Sequence, residues 1–155
     1  MSRIFILFLS SFFCFEIGIS QEAPDFQYIT QEGFAAQLSD HRGEVLYVSF
    51  WASWCQPCIS NFKKYAPMRE ELETIGVTLL NVNIDNSKEL WKNAMQKHNI
   101  NGVHVRGTDL DGLQELYELY SIPSYEIINK KGQFVYLSDS PDRHIITEFK
   151  SWLKE

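Results

Sequence analysis

Two cysteines three residues apart, Cys55 and Cys58, are the side chains of this sequence best placed to do chemistry. They close the segment Phe50 to Cys58, FWASWCQPC, between an apolar run that reads as a strand and an amphipathic run that reads as a helix. Cysteines at that spacing at a helix start can form a disulfide with little backbone movement. Cys55 is expected at the exposed helix N-terminus, where unpaired N–H groups and the positive end of the helix dipole stabilise a thiolate. Cys58 falls one turn further in and is expected to be shielded. The first thiolate would attack a disulfide and the second would resolve the mixed intermediate. Pro57 in the first helical turn costs no backbone hydrogen bond. A zinc site would need a second close pair of ligands, but no further cysteine follows, and His41, His98, His104 and His144 are isolated. A purely structural bridge over so short a loop would stabilise little.

The flanking elements must hold this pair. Val45 to Trp51 is rich in β-branched and aromatic residues and predicts a strand. Cys58 to Thr74 has apolar residues at helical spacing (Ile59, Phe62, Tyr65, Ala66, Met68 and Leu72) and predicts one long helix, kinked at Pro67 and closed at Gly76. Beyond it, strands are expected at Val77 to Ile84 and Gly102 to Arg106, with helices at Ser87 to Asn99 and Leu113 to Tyr120. Ser124 to Asn129 and Gln133 to Leu137 read as a hairpin about Lys130-Lys131-Gly132, and Asp142 to Lys154 as a closing helix. Ahead of the first strand, Ala23 to Gln27 reads as a loose start and Phe34 to His41 as a short helix, with a hairpin turning at Gly33 as the alternative. The order is β-α-β-α-(β)-α-β-β-α. Alternation of this kind calls for parallel pairing with right-handed crossovers, and the late hairpin adds an antiparallel edge. The expected fold class is α/β, a three-layer sandwich with a mixed central sheet.

The first twenty residues have a different composition. Arg3 is followed by an apolar run from Ile4 to Phe15, too short for a membrane span but suited to a signal-peptide core. Small residues at Gly18 and Ser20 predict cleavage after Ser20. The expected division is 1–20 signal peptide and 21–155 a single domain; an uncleaved anchor is the alternative. A lipoprotein is disfavoured because Phe13, before Cys14, is not small. Cutting twenty residues from 155 leaves 135, and takes with them five of the eleven phenylalanines and one of the three cysteines. The net charge of -6 is untouched, because Arg3 and Glu16 cancel. Such an acidic chain is a poor candidate for nucleic-acid binding. Its 45% hydrophobic content excludes a disordered chain.

Phe50 to Cys58 resembles the active-site segment of the thioredoxin superfamily. The wider run GEVLYVSFWASWCQPC resembles its TlpA/ResA-like branch, the extracytoplasmic thiol-disulfide oxidoreductases of bacterial envelopes. Tyr117, Leu119 and Ile122-Pro123-Ser124, followed by a strand and Lys131-Gly132, are similar to the family segment that bears a cis-proline. The resemblance covers Gly43 to about Lys154. HNINGVHV, His98 to Val105, and the late SPDR are similar to thioredoxin-like domains of Bacteroidetes-type envelopes. The resemblance implies a thioredoxin-like fold for 21–155, with Cys55 as nucleophile, Cys58 as resolving thiol and Pro123 as the cis-proline facing them. The backbone of Ile122 would pair with an extended substrate beside Cys55. Trp54 would shield the site and offer an apolar platform, ordinary packing being the alternative. Gln56 and Pro57 are supporting residues. No cofactor and no metal are implied.

Two departures from the family pattern stand out. Cytoplasmic thioredoxins carry a buried acid at the position of Ser49, and many ResA-like proteins carry a Glu at the position of Asn61. That leaves the proton acceptor for Cys58 unassigned. Glu126, in the otherwise apolar strand SYEIIN, is a candidate replacement if it is buried with a raised pKa. The plainer alternative is a carboxylate that reaches solvent or a lysine.

The dipeptide Gln56-Pro57 lacks a histidine that would favour a strong oxidant, so the expected activity leans toward reduction. The implied partners are protein disulfide substrates and a membrane or envelope thiol as electron donor, with a monomer in the periplasm. Two other functions compete. A thiol peroxidase would need a lone cysteine preceded by Pro and Thr, which Ala52 and Ser53 do not supply. A binding module using the Ile122-Pro123 groove would not need both cysteines.

Overall fold

The computed structural model describes residues 21–100, 102–138 and 145–154. The leader prediction therefore lies outside the described residues. Among the described residues, no helix is long and apolar enough to cross a membrane.

Among the described residues, seven strands form one mixed sheet: β1 (Gln27–Thr30), β2 (Ala35–Gln37), β3 (Leu46–Trp51), β4 (Thr78–Asn83), β5 (His104–Gly107), β6 (Ser124–Ile128) and β7 (Phe134–Ser138). Their order is β2-β1-β5-β4-β3-β6-β7. Pairs β3–β4 and β4–β5 are parallel, whereas β3–β6 and β6–β7 are antiparallel. Every residue of β3 is buried, which is why LYVSFW lacks the polar alternation of a half-exposed strand and only the buried Ser49 interrupts its apolar and aromatic run. The helices are α1 (Gln56–Lys64), α2 (Ala66–Thr74), α3 (Lys88–His98), α4 (Leu110–Leu116) and α5 (Ile145–Trp152). Trp91 and Ala94 of α3 and Leu113 of α4 pack with Val48, Phe50 and Val82 on one face of the sheet. Met68 and Leu72 of α2 and Ile146 and Phe149 of α5 pack with Tyr47, Leu79 and Ile127 on the other. The mixed three-layer sandwich is thus as expected.

Four local expectations are corrected. The start is not loose: the Ala23 amide donates to the Gly132 carbonyl at 2.9 Å, and Phe26 is buried against Phe50 and Tyr117. The 34–41 helix is replaced by the hairpin alternative. β1 and β2 pair antiparallel, and only Leu38–His41 is helical, as a short 3-10 turn. Gly33, at φ 101°, supplies the left-handed turn residue that this hairpin requires. The long helix is two helices, because Pro67 has no N–H to give and its ring crowds the turn before it; α1 ends at Tyr65 and Pro67 opens α2. The helix expected at Leu113 starts at Leu110, capped by Asp109 accepting from the Gly112 amide, and Glu118 at φ 48° lies beyond its end. Residues 142–144 of the closing helix lie outside the described residues.

Candidate active site

β3 delivers the chain to a turn at Ala52–Cys55, and α1 begins immediately after it. Cys55 is the N-cap of α1. Its sulfur accepts from the Cys58 amide at 3.2 Å, so an orphan donor of the helix's first turn is aimed at that sulfur. Cys55 and Cys58 are joined as a disulfide with Cα atoms 5.3 Å apart. Pro57 occupies the first turn of α1, where a missing N–H is harmless, and Gln56 is exposed.

The Ile122–Pro123 peptide is cis. It brings the Ile122 carbonyl oxygen to 3.7 Å from Cys55 Sγ. One expectation changes here. Cys55 is only 3% exposed, little more than Cys58 at 2%, because the 122–123 segment lies over the sulfur. Trp54 is 64% exposed, so it is not a core residue and stands beside the pair as an open apolar surface.

Several residues that hold the site have no local sequence signal linking them to it. Asp85, buried at the end of β4, accepts from the Ser53 amide at 2.9 Å, the Ser53 hydroxyl at 2.8 Å and Asn83 Nδ2 at 2.8 Å. It clamps the turn that presents Trp54 and Cys55. Arg106 of β5 in turn donates to the Asp85 and Asn86 carbonyls. The pattern Asn83-x-Asp85 after a strand was the available clue, but nothing local links it to Ser53.

Behind Cys58 lies a small cavity of about 10 Å³, the room one water needs. It is lined by Ser49, Asn61, Tyr65, Arg69 and Tyr125. Among the described residues no carboxylate lines it, in keeping with the two departures at Ser49 and Asn61. Polar bonds surround it instead. Ser49 Oγ donates to Asn81 Oδ1 at 2.7 Å, Arg69 Nη2 donates to the same oxygen at 2.9 Å, and Asn61 Nδ2 donates to the Tyr125 hydroxyl at 2.9 Å. Burial lowers the Arg69 pKa, yet a guanidinium remains charged at neutral pH.

Glu126 is 2% exposed, which removes the solvent-reaching alternative. Burial raises its pKa to about 8. It does not line the cavity behind Cys58, however. Tyr125 does, and successive strand residues face opposite sides of the sheet. Glu126 lines a separate open groove that begins at Pro123. Among the described residues, no three His, Cys, Asp or Glu side chains converge as a metal-holding group.

The chain is similar to several known proteins. Residues 19–155 match the AhpC/TSA family. The thiol-disulfide oxidoreductase ResA of Bacillus subtilis strain 168 is 30% identical over 119 residues, covering 77% of this chain and 66% of that protein. The thioredoxin-like protein YneN of the same organism is 26% identical, covering 76% of this chain and 70% of that protein. The chain thus spans about two thirds of the length of these curated relatives. A putative thiol-disulfide oxidoreductase from Bacteroides vulgatus superposes with a TM-score of 0.76 at 26% identity, over 86% of this chain and 96% of that one. The thioredoxin domain of another oxidoreductase from that organism superposes with a TM-score of 0.74 at 22% identity, over 86% and 96% of the two chains, and shares the fold. The chain belongs to the AhpC/TSA family, as a thioredoxin-fold member carrying the cysteine pair of a thiol-disulfide oxidoreductase.

Proposed function

We propose that the domain exchanges disulfides with protein substrates in the bacterial envelope, chiefly as a reductant. The observation that carries this reading is the placement of Cys55 Sγ. It is the N-cap acceptor of α1 and lies 3.7 Å from the Ile122 carbonyl, beside a backbone segment that an extended polypeptide can pair with. In the dithiol form, Cys55 thiolate attacks one sulfur of a substrate disulfide and the other substrate sulfur leaves as a thiolate. Cys58 thiolate then attacks Cys55 Sγ and releases the second substrate thiol. Two electrons have passed to the substrate, and Cys55–Cys58 is left oxidised, to be reduced by an envelope thiol donor.

Trp54, Ile122 and Pro123 form the substrate-facing surface in this scheme, while Gln56 and Pro57 fill the turn between the cysteines. The absence of a histidine in that turn favours a reducing pair. Residues 1–20 act as the export signal, removed after Ser20.

The reduction potential of the pair tests the direction. A value more negative than about -200 mV is expected, on the reducing side of protein disulfide isomerase. A value near the roughly -120 mV of strong periplasmic oxidants would overturn the reductant reading. N-terminal sequencing of the exported protein tests the leader, and a retained Met1 refutes cleavage.

A further inference from the structure

The groove that begins at Pro123 is separate from the cavity behind Cys58 and has a volume of about 800 Å³. It runs between the end of α4 and strands β6 and β7. Tyr117, Phe134, Tyr136 and Tyr120 contribute its aromatic surface, and Tyr120 is 90% exposed. Glu126 also lines it, almost wholly buried, and among the described residues its Oε2 has no hydrogen-bond partner. The nearby Tyr117 hydroxyl cannot serve Glu126 as a donor, because it donates to the Pro24 carbonyl at 2.6 Å. A buried polar atom left without a partner costs free energy, and such atoms are rare in folded proteins.

Among the described residues, the ionisable carboxyls lining the groove are Glu118 and Glu126, and neither lysine nor arginine lines it. A ligand that completes this site must bring hydrogen-bond donors and positive charge. Aromatic faces favour the same kind of group. An apolar or acidic group would leave Glu126 Oε2 unpaired or repelled. The groove starts one residue after Ile122, whose carbonyl lies 3.7 Å from the reactive sulfur. A polypeptide held beside Cys55 would therefore have a side chain in reach of it.

We propose that this groove is a specificity pocket for a lysine or arginine side chain of the substrate polypeptide, received between the aromatic walls and paired with Glu126. The inference rests on the exchange activity proposed above and names the kind of substrate that activity prefers. The overall charge of -6 favours basic partners in the same sense, but diffusely and in a way that salt screens. The pocket selects by position, because only a side chain at one distance from the substrate cysteine reaches Glu126.

The test uses symmetric peptide disulfides, each peptide carrying one cysteine and a lysine or a norleucine at each of the four positions on either side. The prereduced protein is mixed with each at pH 9, where the Glu126 carboxyl is ionised and lysine is still largely protonated, and the second-order rate constant is measured. Lysine at one position is expected to react roughly tenfold faster than norleucine, at low and at high salt. Glu126→Gln keeps the shape and neutral hydrogen bonding but not the charge, and should bring that ratio to within about twofold. Tyr136→Leu, at a half-exposed wall position, should lower it too. Reading a ratio cancels any general loss of reactivity in the variants. Equal rates for lysine and norleucine everywhere, a preference retained in Glu126→Gln, or one abolished by salt would each overturn the pocket. Failure of the wild-type protein to exchange with dithiothreitol would instead defeat the underlying activity.

Discussion

The amide of Cys58 donates to the sulfur of Cys55 across 3.2 Å, so Cys55 caps the helix that Cys58 occupies. The same contact that satisfies an orphan helix donor will stabilise negative charge on Cys55 once the disulfide opens. In a Cys58→Ala variant, the alkylation rate of Cys55 should titrate at least about one unit below the ordinary thiol value of about 8.5. A midpoint at or above 8.5 would remove the capping argument. The same variant should accumulate mixed disulfides on Cys55.

Asp85 holds the Ser53 amide and hydroxyl from a strand end 32 positions away. Asp85→Ala leaves both donors and Asn83 without their acceptor. A loss of about 1–3 kcal/mol in urea unfolding is expected. Exchange with dithiothreitol should slow by about tenfold, because the turn bearing Cys55 loosens. Asp85→Asn, which keeps an acceptor oxygen, should recover part of both. Unchanged exchange in Asp85→Ala would show that the turn is held by other contacts.

Arg69 brings a cation to a cavity that also touches Cys58 and, among the described residues, contains no carboxylate. A nearby positive charge lowers a thiol pKa. In a Cys55→Ala background, Arg69→Met is expected to raise the alkylation midpoint of Cys58 by about one unit, and Arg69→Lys to restore much of it. An unmoved midpoint in Arg69→Met would separate Arg69 from the resolving step.

Glu126 makes stability depend on pH. Its folded pKa of about 8 lies above the ordinary value of 4.5, so between those values the folded chain holds a proton that the unfolded chain has lost. Stability from this group is fully present below about 4.5, falls as pH rises through the window by at most about 1.4 kcal/mol per unit, and levels off above about 8. Glu126→Gln should flatten that part of the profile in denaturant melts from pH 5 to pH 9. A profile identical to the parent's would place the carboxyl in contact with solvent.

Much of this was legible because it is local. The strand before the pair, the helix after it and the late hairpin each follow from short-range periodicity and turn residues. The split at Tyr65 was half legible: Pro67 marked the place, but a kink and a break differ only in how α1 and α2 pack on the sheet. The β1–β2 hairpin was ambiguous because the apolar residues Phe34, Ala35, Ala36 and Leu38 fit either period. Its choice was made by pairing with β5, far along the chain.

The sequence by itself determined the chemistry, since a cysteine pair at a strand-to-helix junction gets its reactivity from its own helix terminus. It also determined the layer order, through the alternation of elements. Only the tertiary structure decided what surrounds that chemistry. Strand periodicity says that Tyr125 and Glu126 face opposite ways, but not which face meets the cavity behind Cys58 and which opens on a groove. That depends on strand order and on which helices cover each side, and both are set by contacts between residues distant in sequence. The same reason put Asp85 under Ser53, and it placed Glu126, a candidate helper of Cys58, in the lining of a neighbouring groove.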